Sequence, residues 1–130
     1  MASEDPQEPP TLLIAEGVMM YLEAQTVARL LSALRAHFSA AEFCADSYDS
    51  TMLKNREHYH KFIKETTGAE YVFATNGAEG IAALSPGWSP VETIDVMSPI
   101  GRIFQAASKT HQLCYHGRLP YYLAYITSTT

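Results

Sequence analysis

Apolar residues run without interruption from Leu12 to Ala15, bounded by Pro9-Pro10 before and Glu16-Gly17 after. A short unbroken run of this kind predicts a strand over Thr11 to Ala15, central in a parallel sheet and covered on both faces. From Glu23 the spacing changes. Val27, Leu30, Leu31, Leu34 and Phe38 recur at i, i+3, i+4, i+7 and i+11, which places one apolar stripe on a helix lying against a sheet. Ala41 to Ala45 then reads as a second buried strand after a Ser-Ala-Ala turn, with Asp46 ending it as Glu16 ends the first. Strand, helix and strand make a crossover unit, and the fold class is α/β.

The remaining pattern is less regular. Ser50 to Thr67 is a polar, helix-like segment with Met52, Asn55, Arg56, Tyr59, Phe62 and Ile63 on one face and Gly68 as its C-cap. Tyr71 to Ala74 is expected to be a short extended piece and Ala78 to Leu84 a short helix. Ser85 to Pro90 is expected to be a loop because of its two prolines and glycine. Val91 to Met97 alternates apolar and polar residues like a strand near a sheet edge. Pro99 to Lys109 turns helical with Ile103, Phe104 and Ala107 inward, and the aromatic, branched stretch Leu119 to Thr127 is the last strand.

An acid and a glycine at the tip of a strand suit a ligand site, since ligands of open α/β sheets lie off the carboxyl ends of the strands. The alternative for Glu16 is an exposed acid that begins a loop. The segment Ile14-Ala-Glu-Gly-Val-Met-Met-Tyr-Leu22, with Glu23 to Leu31 after it, resembles the fourth strand and following helix of the leucine carboxyl methyltransferase-like family, S-adenosylmethionine-dependent O-methyltransferases. Gly80 to Val91 resembles the helix, glycine-aromatic turn and sixth strand of the same family. The likeness spans Thr11 to Thr127, is specific at Glu16 to Leu22, and matches only the family's back half.

The resemblance implies a partial Rossmann-like methyltransferase sheet, strands four to seven with flanking helices, lacking the first three strands. It implies S-adenosyl-L-methionine as cofactor and a carboxylate or hydroxyl of a small molecule as methyl acceptor. Glu16 and Gly17 fall at the cofactor and Tyr21 faces the acceptor, although an amphipathic side chain opening a helix explains Tyr21 as well. The family's glycine-rich loop and the acid ending its second strand have no counterpart here, because Gly77, Gly80, Gly87 and Gly101 follow no strand-loop-helix spacing. The expectation is a C-terminal fragment inactive alone, or a non-catalytic α/β module pairing with a second copy or a companion chain through an exposed sheet edge.

Composition narrows the rest. At 130 residues and 47% hydrophobic content the chain is one domain, residues 11–130, behind a loose, Pro-rich and acidic leader at residues 1–10. A net charge of -5 with nine scattered basic residues argues against a nucleic-acid partner. No apolar run approaches the length of a membrane span and no signal peptide is evident, so the expected location is cytoplasmic. Cys44 and Cys114 show no CxxC spacing. His58 and His60 point to different sides of a helix, so no metal site is expected, and a Cys114 nucleophile beside His111 or His116 lacks anything to lower its pKa. Asp46 and Asp49 read as turn or capping acids, and Arg102 and Arg118 as candidate carboxylate clamps.

Overall fold

The computed structural model describes residues 10–54 and 64–129. Four strands, β1 (Thr11–Ala15), β2 (Ala41–Tyr48), β3 (Trp88–Asp95) and β4 (Tyr121–Ser128), form one sheet in the order β1-β2-β4-β3. β1 and β2 run parallel, whereas β4 is antiparallel to both of its neighbours, so the sheet is mixed. Helix α1 (Ala24–His37) makes the crossover from β1 to β2 that parallel pairing requires. The described residues also include helices α2 (Ser50–Lys54), α3 (Gly77–Ala82) and α4 (Arg102–Cys114). No described helix is long and apolar enough to cross a membrane.

The α1 stripe behaves as its spacing demands. Val27 and Leu31 are fully buried, with Leu30, Leu34 and Phe38 packed at the margin of the same core. Each such aliphatic side chain contributes about 1.5–3 kcal/mol when taken out of water. The residues they meet, Phe43 and Ala45 on β2 and Tyr122, Ala124 and Ile126 on β4, lie on one face of the sheet, together with Ala78, Ile81 and Ala82 of α3.

Several expectations are corrected. β1 is an edge strand, not a central one, and its second face is open: Leu12 is 56% and Ile14 69% exposed. Tyr21 closes a 3-10 turn, Met19–Tyr21, and the α-helix begins only at Ala24. β2 continues three residues past Ala45 because β4 pairs with it as far as Tyr48 opposite Tyr121, which puts Asp46 inside the strand. Tyr71 to Ala74 is not in the sheet; Val72 N–H and Phe73 N–H donate to the Met20 carbonyl instead. The expected loop at Ser85 to Pro90 gives way at Trp88, where β3 starts; Pro90 is tolerated at a bulge of this edge strand, where a missing N–H costs nothing. Gly68, with a φ of 76° and its N–H on the Lys64 carbonyl, ends the helical stretch before it as expected. Most of the face proposed for 50–67, including Asn55, Arg56, Tyr59, Phe62 and Ile63, lies outside the described residues.

α4 departs furthest from its pattern. Ile103, Phe104 and Ala107 are exposed, and Ser108 is the buried residue of the helix. A polar stripe, Ser108, His111 and Gln112, turns inward because partners wait for it. Ser108 Oγ donates to Asp95 Oδ2 at 3.0 Å, Gln112 Nε2 donates to Ser108 Oγ at 3.1 Å, and His111 Nδ1 lies 2.9 Å from the Arg118 carbonyl. Asp95 also accepts from the N–H groups of Met97 and Ser98 and from the Ser98 hydroxyl. Partial burial pushes its carboxyl upward, but these four donors outweigh that and hold it below the usual carboxylate range.

Candidate functional site

β1 ends opposite Ala45 while its parallel neighbour β2 runs three residues further, and the chemistry gathers at that step. Gly17 follows β1 with a φ of 69°, a backbone state that side chains disfavour, and this turn aims its N–H at Asp46 Oδ1, 2.8 Å away on β2. The other carboxylate oxygen, Asp46 Oδ2, accepts from the Tyr121 hydroxyl at the start of β4. Asp46 is 6% exposed and, from within β2, ties the end of β1 to the start of β4. Its position after an expected strand predicts a capping or turn acid; its place within β2 instead makes it the centre of the crevice. The signal that points to it is its position in the chain, five residues into a strand that runs parallel to β1.

From Tyr121 a row of rings extends away from the sheet. Tyr121 and Tyr48 are 4.7 Å apart between ring centroids, Tyr48 and Tyr71 5.0 Å, and Tyr71 and Tyr21 5.3 Å. Tyr48 and Tyr71 hydroxyls approach to 3.4 Å. Burial, then the hydroxyl contact with Tyr48, pushes the Tyr71 phenol up to about 12. Burial and then Tyr71 raise the Tyr21 phenol, and burial with the Asp46 carboxylate raises Tyr121 strongly. All three therefore stay protonated at neutral pH, as neutral donors with intact ring faces.

Beside this row lies an open cavity of about 350 Å³ lined by Ile14, Ala15, Glu16, Asp46, Val96, Tyr121 and Leu123. The strand register places Ile14, Asp46, Leu123 and Tyr121 on the sheet face away from the core. Glu16 is solvent-exposed at the tip of β1 and contributes one wall of this cavity. Tyr21, 36% exposed, stands at the far end of the ring row and does not line the cavity. The structure thus brings Glu16 and Gly17 to Asp46 and Tyr121, and joins Tyr21 to them through Tyr71 and Tyr48.

The other candidates separate. Asp49, 1% exposed, caps α2 through the Thr51 N–H at 3.1 Å and receives Arg118 Nε at 2.8 Å. Arg118 also donates to Ser50 Oγ at 2.8 Å and to Asn76 Oδ1, so its guanidinium is committed to the fold rather than held ready as a clamp. It borders a second cleft of about 290 Å³ with Asn76, Gly77, Glu79 and Thr93. Arg102 is exposed on α4. His111 is engaged by Arg118 and by Thr51 Oγ1 at 2.7 Å, and Cys114 is exposed. His58 and His60 lie outside the described residues, among which no group of three or more His, Cys, Asp or Glu side chains suited to a metal ion occurs. No protein-family model matches the chain, and no curated protein or solved structure matches it.

Proposed function

We propose that this chain contributes the second half of an S-adenosylmethionine-dependent O-methyltransferase domain acting on a carboxylate or hydroxyl of a small molecule. The mixed α/β sheet is compatible with such a partial Rossmann-like fold. The observation that carries the reading is the crevice at the carboxyl ends of β1 and β2, where Glu16, the Gly17 N–H, Asp46 and Tyr121 converge. In this reading Glu16 and Gly17 meet the cofactor's amino-acid end, and Tyr21, a protonated phenol, donates a hydrogen bond to the acceptor oxygen. Methyl transfer is an in-line displacement in which placement and exclusion of water do most of the work. The glycine-rich loop of such enzymes is not among these 130 residues, so the residues here complete a cofactor pocket rather than constitute one, and the chain by itself has little or no activity.

Calorimetric titration with S-adenosylhomocysteine tests this. Binding with a Kd on the order of micromolar or tighter supports a working pocket on this chain, and Glu16→Ala is expected to abolish any such signal. Affinity that survives Glu16→Ala removes the cofactor placement, and silence from the unaltered chain favours the second reading.

That second reading, a non-catalytic assembly module, is favoured by the open edge of β1. The Thr11 N–H donates to the Ala40 carbonyl at 3.1 Å, so the alternation of a strand turns the N–H and C=O of Leu12 and Ile14 outward. Their side chains are the exposed ones on the open face. A second copy or a companion chain adding a strand there satisfies those groups and covers Leu12 and Ile14. Sedimentation equilibrium is expected to show concentration-dependent self-association that Ile14→Lys weakens by about tenfold without lowering the melting midpoint. A chain that stays monomeric at every concentration removes the homodimer.

A further inference from the structure

We infer that the cavity between β1, β2 and β4 is a site for an organic cation, a sulfonium or quaternary ammonium head carrying alkyl groups. The cavity is the crevice of the methyltransferase reading: a sulfonium source rests on that reading, whereas an ammonium source stands on the lining alone.

Two carboxylates, Glu16 and Asp46, border the space, and no Lys, Arg or His lines it among the described residues. A cavity walled by low-dielectric side chains and a single sign of charge focuses its field on an ion of opposite sign. Among the described residues the Asp46 oxygens accept from neutral donors, the Gly17 N–H and the Tyr121 hydroxyl, which orient its charge without cancelling it. The rest of the wall is Ile14, Ala15, Val96 and Leu123. Those side chains have no oxygen with which to replace the water shell of a small metal ion, and they match methyl and methylene groups over which a cationic charge is spread.

Tyr121 supplies the remaining element. Tyr121 lines the cavity, its hydroxyl is pinned by Asp46, and the Tyr48 ring lies beside its own, so the side chain is held in place before any ligand arrives. An alkyl cation near an aromatic face gains from the quadrupole of the ring, and a fixed ring loses little entropy in providing it. The phenol stays protonated because burial and Asp46 raise it, which keeps the ring neutral. One cation chemistry has two sources here, the sulfonium of a cofactor or an ammonium on an acceptor molecule.

The test is an amide NMR titration of the full chain with choline and with its neutral isostere 3,3-dimethylbutan-1-ol. Choline is expected to shift the Gly17 and Tyr121 resonances saturably and to bind about tenfold more tightly than the alcohol. Glu16→Gln, at an exposed position that the fold does not need, is expected to narrow that ratio about threefold, and Asp46→Asn to narrow it further. An alcohol that binds as well as choline, the absence of a saturable choline response, or a ratio unchanged in both variants overturns the assignment. Parallel titrations with S-adenosylmethionine and S-adenosylhomocysteine distinguish the sources. Preference for the charged sulfonium supports the site with the cofactor as its source. A choline preference without response to either adenosyl compound supports the site with an ammonium ligand as its source.

Discussion

Replacing Trp88 by alanine is expected to cost about 3–5 kcal/mol of folding free energy, the largest loss at any single side chain considered. The indole is 7% exposed, meets Phe43 edge-on with ring centroids 6.3 Å apart, and donates its N–H to the Leu31 carbonyl at 3.0 Å. That one residue thereby joins the edge strand β3, the middle of α1 and β2. A domain of this size holds about 5–15 kcal/mol in all, so the variant retains a small margin or none. Trp88→Phe, which keeps most of the apolar surface and gives up the hydrogen bond, is expected to lose about half as much. Urea denaturation monitored by circular dichroism gives both numbers. A loss below about 1 kcal/mol for the alanine variant means that Trp88 is not part of the core.

Arg118→Met is expected to cost about 2–3 kcal/mol by the same measurement. Asp49 is 1% exposed at its side chain, and without the guanidinium its carboxylate keeps, among the described residues, the Thr51 donors and no counter-charge. Breaking a fully buried pair costs about 3–5 kcal/mol; the lower figure reflects an arginine side chain that is 35% exposed and so partly screened by water. The variant also releases Ser50 and Asn76, loosening the β2–α2 corner from the turn that precedes β4. Adding Asp49→Asn to Arg118→Met is expected to restore about 1 kcal/mol, because the uncompensated charge is then gone. If the double variant is as unstable as the sum of the two single ones, the pair is not coupled and Arg118 acts only by packing.

These predictions rest on residues whose importance was unequally legible. Trp88 sat in a segment that two prolines and a glycine marked as a loop, and only its pairing with Ser128 on β4 turns that segment into a strand. Arg118 has no spacing that singles it out; Asp49 lies 69 residues away in the chain and meets it only after the sheet has formed. Asp46 was visible as an acid but not as a centre, since its two donors come from the end of β1 and the start of β4.

What the chain determined by itself is what depends on near neighbours. The continuous run at Thr11 to Ala15, the i, i+3, i+4 stripe from Val27 to Phe38, and the aromatic, branched run after Leu119 fixed β1, α1 and β4 to within a residue or two, because strand and helix periods are local geometry. They also placed Glu16 and Gly17 at a strand tip. Tertiary structure decided the rest: that β4 inserts between β2 and β3, that β2 extends to Tyr48 to pair with it, and that four tyrosines line up beside Asp46. It also turned Ser108, rather than Ile103 and Phe104, toward the fold, because the hydrogen bonds waiting at Asp95 and Arg118 outweigh what an apolar stripe gains where no core faces it. Long-range pairing sets such choices, and hydrophobic periodicity along a chain carries no record of which distant polar group will be waiting.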